Sequence, residues 1–194
     1  MVSVRTILFS AVMLIYFCFP FSLIFNQEKI LSQGELFQFR SIPVDPYDAF
    51  RGRYVALSST ISGAWEPDSM LIRGETAYVT FKKDSLGYAI VKEVLTSPPN
   101  HPSYLNLRIS RINGNRISFN PPENMQRYYM NEKLAPKAEK VYRQLNRSSN
   151  VNRKANAHLD VKIWKGSCLI EELYLNDLPV TEYLEKLERE NKEN

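Results

Sequence analysis

A chain of 194 residues has room for one domain and a membrane segment but not for a second domain of ordinary size. With 44% hydrophobic and 24% charged residues it carries enough apolar side chains to bury a core, which excludes a wholly disordered chain. Arg5 is the one charge among the first 26 residues, and the 24 basic and 21 acidic side chains beyond it leave an excess too small to imply nucleic acid.

Thr6 to Phe25 is a run of 20 residues without a charge, rich in Ile, Leu, Phe, Val and Met. As a helix it would reach about 30 Å, the hydrocarbon thickness of a bilayer. Residues 1–26 are therefore expected to be a transmembrane signal anchor. Pro20 is tolerated there because a kinked helix in lipid can re-satisfy its backbone groups. Ser22-Leu23-Ile24-Phe25-Asn26 lacks the small-residue pair that signal cleavage requires, and bulky Ile15-Tyr16-Phe17 ahead of Cys18 do not suit lipoprotein processing. Arg5 favours a cytoplasmic N-terminus, with Lys29 opposing more weakly. The expected address is the cytoplasmic (inner) membrane, crossed once, with the domain periplasmic or extracytoplasmic. Cys18 in the anchor and Cys168 in the domain cannot pair with each other, and Cys168 reads as a small buried side chain on a strand.

Residues 27–34 read as a short polar connector, followed by a β-rich domain over residues 35–180. Leu36–Ile42 is a strand that stops at Pro43. After the turn-rich Asp45-Pro46-Tyr47-Asp48, Tyr54–Ile61 reads as the next strand. Thr76–Phe81 and Tyr88–Leu95 flank a hairpin loop. Leu105–Ile112 and Asn115–Phe119 flank Asn113-Gly114, a pair that favours a type I′ turn. Met125–Met130 is a further tyrosine-rich strand. From Glu132 to Leu145 the period changes, and Leu134, Ala138, Val141 and Leu145 form the stripe of an amphipathic helix. Residues 146–156 read as a loop. Ala157, Leu159, Val161 and Ile163 alternate with His158, Asp160, Lys162 and Trp164, and Ser167–Leu175 follows a Lys-Gly turn. Residues 181–194 form a charged tail with a helix over Thr181–Glu190. The expected fold is α+β and mostly β, an antiparallel sheet or partly closed barrel with one helix packed across it.

Signals of chemistry are sparse. His101 sits in a Pro-rich loop and His158 on the polar face of its strand, so both are expected at the solvated surface, and neither has metal-ligand spacing with Cys, Asp or Glu. No cofactor, metal or catalytic residue is assigned. One catalytic arrangement fits the expected address, a dyad of Ser58 or Ser59 with Lys82, Lys83 or Lys92 as a desolvated base. Lys133, Lys137, Lys140, Arg143, Arg147, Arg153 and Lys154 make the helix and its following loop basic. The interleaved Glu132 and Glu139 and the acidic tail favour a solvated face over a lipid-binding one.

Asp45-Pro46-Tyr47-Asp48-Ala49-Phe50-Arg51-Gly52-Arg53-Tyr54-Val55-Ala56-Leu57 resembles the signature of the bacterial GDYXXLXY proteins, a Gly-Asp-Tyr-x-x-Leu-x-Tyr motif preceded by Asp-Pro and Arg. Asp45, Pro46, Arg51, Gly52, Tyr54 and Leu57 match. Arg53 stands in place of the motif's Asp and Ser59 in place of its last Tyr. Met125-Gln126-Arg127-Tyr128-Tyr129-Met130-Asn131-Glu132 is similar to a later Arg-Tyr-Phe segment of the family, and the resemblance spans most of residues 36–178. The motif reads as structural: Gly52 allows a positive φ or a close approach, and Tyr54 and Ala56 face one side of a sheet with Val55 and Leu57 on the other. The resemblance implies a membrane-anchored, envelope-facing protein working with a multi-pass membrane partner, and no activity. The leading expectation is thus a non-enzymatic interaction module. The alternatives are a Ser/Lys hydrolase and a barrel that binds a small ligand or lipid.

Overall fold

The computed structural model describes residues 4–43, 54–59, 61–64, 71–146 and 156–193. The motif residues Asp45, Pro46, Arg51 and Gly52, together with Arg53, lie outside these residues, as does most of the loop expected at 146–156. In chain order the elements are α1 (Val4–Gln33), β1 (Glu35–Arg40), β2 (Ile42–Pro43), β3 (Tyr54–Ser58), β4 (Ile61–Ala64), β5 (Thr76–Lys83), β6 (Ala89–Leu95), β7 (Tyr104–Asn113) and β8 (Arg116–Asn120). A 3-10 turn (Glu123–Met125) precedes β9 (Arg127–Tyr129), α2 (Ala135–Asn146), β10 (Ala157–Trp164), β11 (Ser167–Leu175), β12 (Leu178–Pro179) and α3 (Val180–Glu193).

α1 is long and apolar enough to cross a membrane, and it stays helical through Pro20. Its side chains from Val4 to Lys29 are exposed, including Leu8, Phe9, Leu14, Tyr16 and Phe25, and Ile30 is the first to be buried. The helix also continues through the polar residues expected as a connector and ends at Gln33, one residue before the first strand. Gly34 makes this sharp conversion possible. Its N–H still donates to the Ile30 carbonyl at 2.9 Å, and a Cβ there would collide with that carbonyl while pressing to 3.1 Å from Lys162 Cβ. The last turns of α1 thereby come to rest against β10 and β11.

The described strands form three antiparallel sheets, ordered β1-β10-β11-β12, β2-β3-β9 and β4-β8-β7-β5-β6. The third is the nearly closed barrel. Its terminal strands β4 and β6 meet where Gly63 faces Val91, and a Cβ on Gly63 would lie 2.6 Å from Val91 Cβ. The first and third sheets join through parallel bridges at Gln38–Tyr88 and Leu105–Gly166, and through Phe81, whose ring packs on Phe37 at 5.9 Å and on Phe39 at 5.2 Å. One continuous apolar cluster draws on all three sheets, with α2 adding Ala138 and Tyr142 and α3 adding Val180 and Leu184.

Three local expectations change. Tyr54–Ile61 is not one strand: the chain leaves the second sheet at Ser58 and enters the third at Ile61, with Ser59 buried at the crossing. Met125–Met130 is a strand only over Arg127–Tyr129, because Met125 closes the preceding 3-10 turn and points into the core. The hairpin turn after β7 is centred on Gly114-Asn115 rather than Asn113-Gly114, since Asn113 pairs with Arg116. Gly114 alone has positive φ, +53°, the pattern of a type II′ turn, which takes glycine at its first central position.

The barrel closure makes a prediction. Gly63→Ala should destabilise the protein by about 1–3 kcal/mol through overpacking, and adding Val91→Ala should recover part of the loss. Urea unfolding of the two single variants and the double variant measures the coupling, and additive losses would place the strain elsewhere.

Candidate functional site: the motif sheet and a buried polar cluster

The two family-like segments, distant in sequence, are hydrogen-bonded neighbours. Tyr54 pairs with Tyr129, Val55 with Tyr128 and Ala56 with Arg127, and Leu57 N–H donates to the Gln126 carbonyl at 2.9 Å. Val55 and Leu57 are buried, as the alternation requires. α2 packs over β2 and β3, and its Tyr142 hydroxyl meets the Ser41 hydroxyl at 2.5 Å in a buried contact. Burial pushes the Tyr142 phenol well above its ordinary value.

This small sheet is fastened to the first one by polar groups. Tyr128 donates its hydroxyl proton to Glu172 at 2.6 Å, and burial, then that bond, raises its pKa. The Asn124 side chain donates to the Cys168 carbonyl, and the Cys168 thiol lies 3.6 Å from Asn124 Oδ1. Cys168 is a buried packing side chain on β11, as its strand context indicates, with its thiol pushed up to about 12 by burial.

Among the described residues, no lysine lies within hydrogen-bond reach of Ser59. Ser59 Oγ is buried and has no hydrogen-bond partner among the described residues. Lys82 and Lys83 are exposed at the end of β5, and Lys92 pairs with Glu93 at 3.3 Å. The side chain of Ser58 lies outside the described residues.

His158 requires a correction. It is 5% exposed, not solvated. The polar face of β10 is covered at its first half, where the imidazole stacks on Tyr174 of β11 with ring centres 4.8 Å apart and planes 1° from parallel. The Tyr88 ring packs edge-on at 5.9 Å, with the Arg40 guanidinium 4.5 Å above Tyr88 and held by Asp84 at 3.1 Å. Asp84 also caps the loop between β5 and β6, accepting from the N–H groups of Leu86 and Tyr88. Alternation correctly put His158 opposite the apolar face, but it could not reveal that another loop folds over the polar one. The Asp84-x-x-Gly87 turn signal was present in the sequence; its ion pair with a distant Arg40 was not.

Asp160 shares this covered face, with Oδ1 3.9 Å from His158 Nε2. Burial raises its pKa most strongly. His158 and a hydrogen bond from Gln38 act against that, and Glu171 and Glu172 add to it. The cluster is a polar clasp between the first and third sheets. Among the described residues no group of three or more His, Cys, Asp or Glu side chains could hold a metal.

These features define a class: an α+β domain of three antiparallel sheets carried on an apolar N-terminal helix. The family model for the GDYXXLXY protein matches residues 16–173, and the chain belongs to that family. The matched span takes in the second half of α1 and reaches β11, leaving α3 outside. Neither the curated proteins nor the solved structures contain a match.

The raised pKa of Asp160 means that the folded protein holds this proton more tightly than the unfolded chain. Its contribution to stability is complete below the unfolded value near 3.8 and is lost as pH rises through the higher folded value. Asp160→Asn removes that loss, so its stability relative to wild type should increase from pH 4 upward. Urea midpoints collected between pH 4 and 8 test this, and a difference that stays constant with pH would contradict it.

Proposed function

We propose that this protein is a membrane-anchored interaction module of the cell envelope, crossing the cytoplasmic membrane once with its N-terminus inside and its β-rich domain outside. The observation that carries the reading is α1: an uncharged stretch whose apolar side chains are exposed along its whole length needs lipid or a partner helix to cover it. Its continuation into the domain without a flexible linker supports a module held at a fixed height above the bilayer. The partner is a multi-pass membrane protein, which would meet α1 within the bilayer and the motif sheet above it. Tyr129 on β9 is 67% exposed and belongs to that sheet, in keeping with the enrichment of tyrosine at protein interfaces.

Two measurements test this. Alkaline phosphatase joined to the C-terminus should be active, and activity from a cytoplasmic reporter at the same site would reverse the orientation. A photo-crosslinking residue at Tyr129 should yield an adduct with an integral membrane protein in native membranes. Recovery of monomer alone from this position and from positions along α1 would refute the partner.

A further inference from the structure

The turn between β10 and β11 is built in an unusual way for its shape. Lys165 and Gly166 both have positive φ, +43° and +87°, as a two-residue type I′ hairpin requires. Elsewhere the chain meets the same demand with Asn176-Asp177, at +47° and +65°, residues suited to the left-handed region. A lysine is a strained choice there, and strain held in place by its surroundings points to a use for the side chain. The surroundings do hold it. Lys165 N–H donates to Pro102 O at 2.7 Å, Gly166 N–H to Tyr104 O at 2.8 Å, and Asn106 N–H to Gly166 O at 3.1 Å. On this pinned turn Lys165 is exposed, with its ammonium 5.4 Å from the ring centre of half-buried Trp164.

The position of the turn gives the pair its meaning. β1 begins at Glu35 opposite Ile163, so Trp164 to Ser167 overhang the start of β1, where the neighbouring chain is already helix α1. The last turns of α1 touch β10 and β11 and bury Ile30, which puts the overhang at the α1 end of the first sheet. Gly34, the residue Trp164 would face if the ladder ran on, is nine residues beyond Phe25, the end of the apolar stretch, or about 14 Å along a helix. A headgroup layer is about 5–8 Å thick on each side of the bilayer, and the turn reaches back from Gly34 toward it. An indole with an adjacent ammonium is the side-chain chemistry that settles at this level, the ring among the carbonyls and the amine on the phosphates.

We propose that the β10–β11 turn is a second membrane contact, in which Trp164 and Lys165 enter the lipid headgroup layer and fix the tilt and rotation of the domain on its anchor. This rests on α1 crossing the bilayer. The test uses the full chain with its other tryptophan replaced, Trp65→Phe, reconstituted in phosphatidylcholine and phosphatidylglycerol vesicles. Trp164 emission should be quenched by a headgroup-attached nitroxide lipid and shielded from aqueous acrylamide, and Lys165→Asn, which relieves the turn, should weaken the nitroxide quenching without loss of fold.

Full acrylamide quenching with no nitroxide effect, in a chain that resists alkaline extraction, would overturn the contact while leaving the anchor intact. A chain released by alkali would instead refute the anchor. Shielding from both quenchers would assign Trp164 to a protein interface and equally overturn the proposal. If Trp65→Phe does not fold, a nitroxide on Lys165→Cys in a Cys18→Ser background gives the same depth by oxygen and nickel relaxation, since Cys168 is buried. Headgroup-level depth supports the contact, and bulk-water accessibility refutes it.

Discussion

At Gly34 the chain must change from helix to strand with no residue to spare, and the placement of the first sheet follows from that conversion. A side chain there would strike the Ile30 carbonyl and press on Lys162 and Ile163 of β10. The absence of one lets Glu35 enter the ladder directly opposite Ile163, which sets the register of β1 on β10. Phe37 and Phe39 then face Phe81 of the barrel, while Gln38 and Arg40 face the polar clasp. A slip of one residue would exchange these two faces, so the junction and the aromatic packing enforce the same register.

The sequence was most legible where one segment answers to its own period. The uncharged run became α1, the stripe at Ala138, Val141 and Leu145 became α2 with Leu134 one residue ahead of its start, and the alternation in residues 157–163 became β10. It was least legible where distant segments decide the outcome. Nothing local distinguishes a strand that continues from one that changes sheets at Ser59, because both read as short apolar alternation. His158 is similar: its face is polar in the pattern, yet buried because Tyr88, Arg40 and Asp84 arrive from other elements. The family signature named the strand β3 but gave no sign that its partner would be the second family-like segment.

Charge is arranged to cancel locally. The basic face of α2 meets the acidic α3, with Lys137 2.5 Å from Glu188, and Arg143 returns to Glu139 on its own helix at 2.7 Å. Exposed pairs of this kind contribute about 0–1 kcal/mol each. Their larger effect is on the field around the domain, since a helix that reads as strongly basic in isolation is partly neutralised by the tail that follows it.

The pairing of β1 with β10 also governs the order of events as the chain is made. β1 is synthesised before every other described strand, yet its neighbour in the first sheet is β10, more than a hundred residues later. Contacts this distant form slowly because a long loop must close before they return any energy. If α1 has already entered the bilayer, the first strand waits at the membrane surface with its hydrogen-bonding edge open. The barrel, whose strands lie between β1 and β10 in sequence, has the opportunity to assemble first and to present Phe81 and Tyr88 as a template. On that ordering the domain closes last beside the membrane, when β10 slots between β1 and β11.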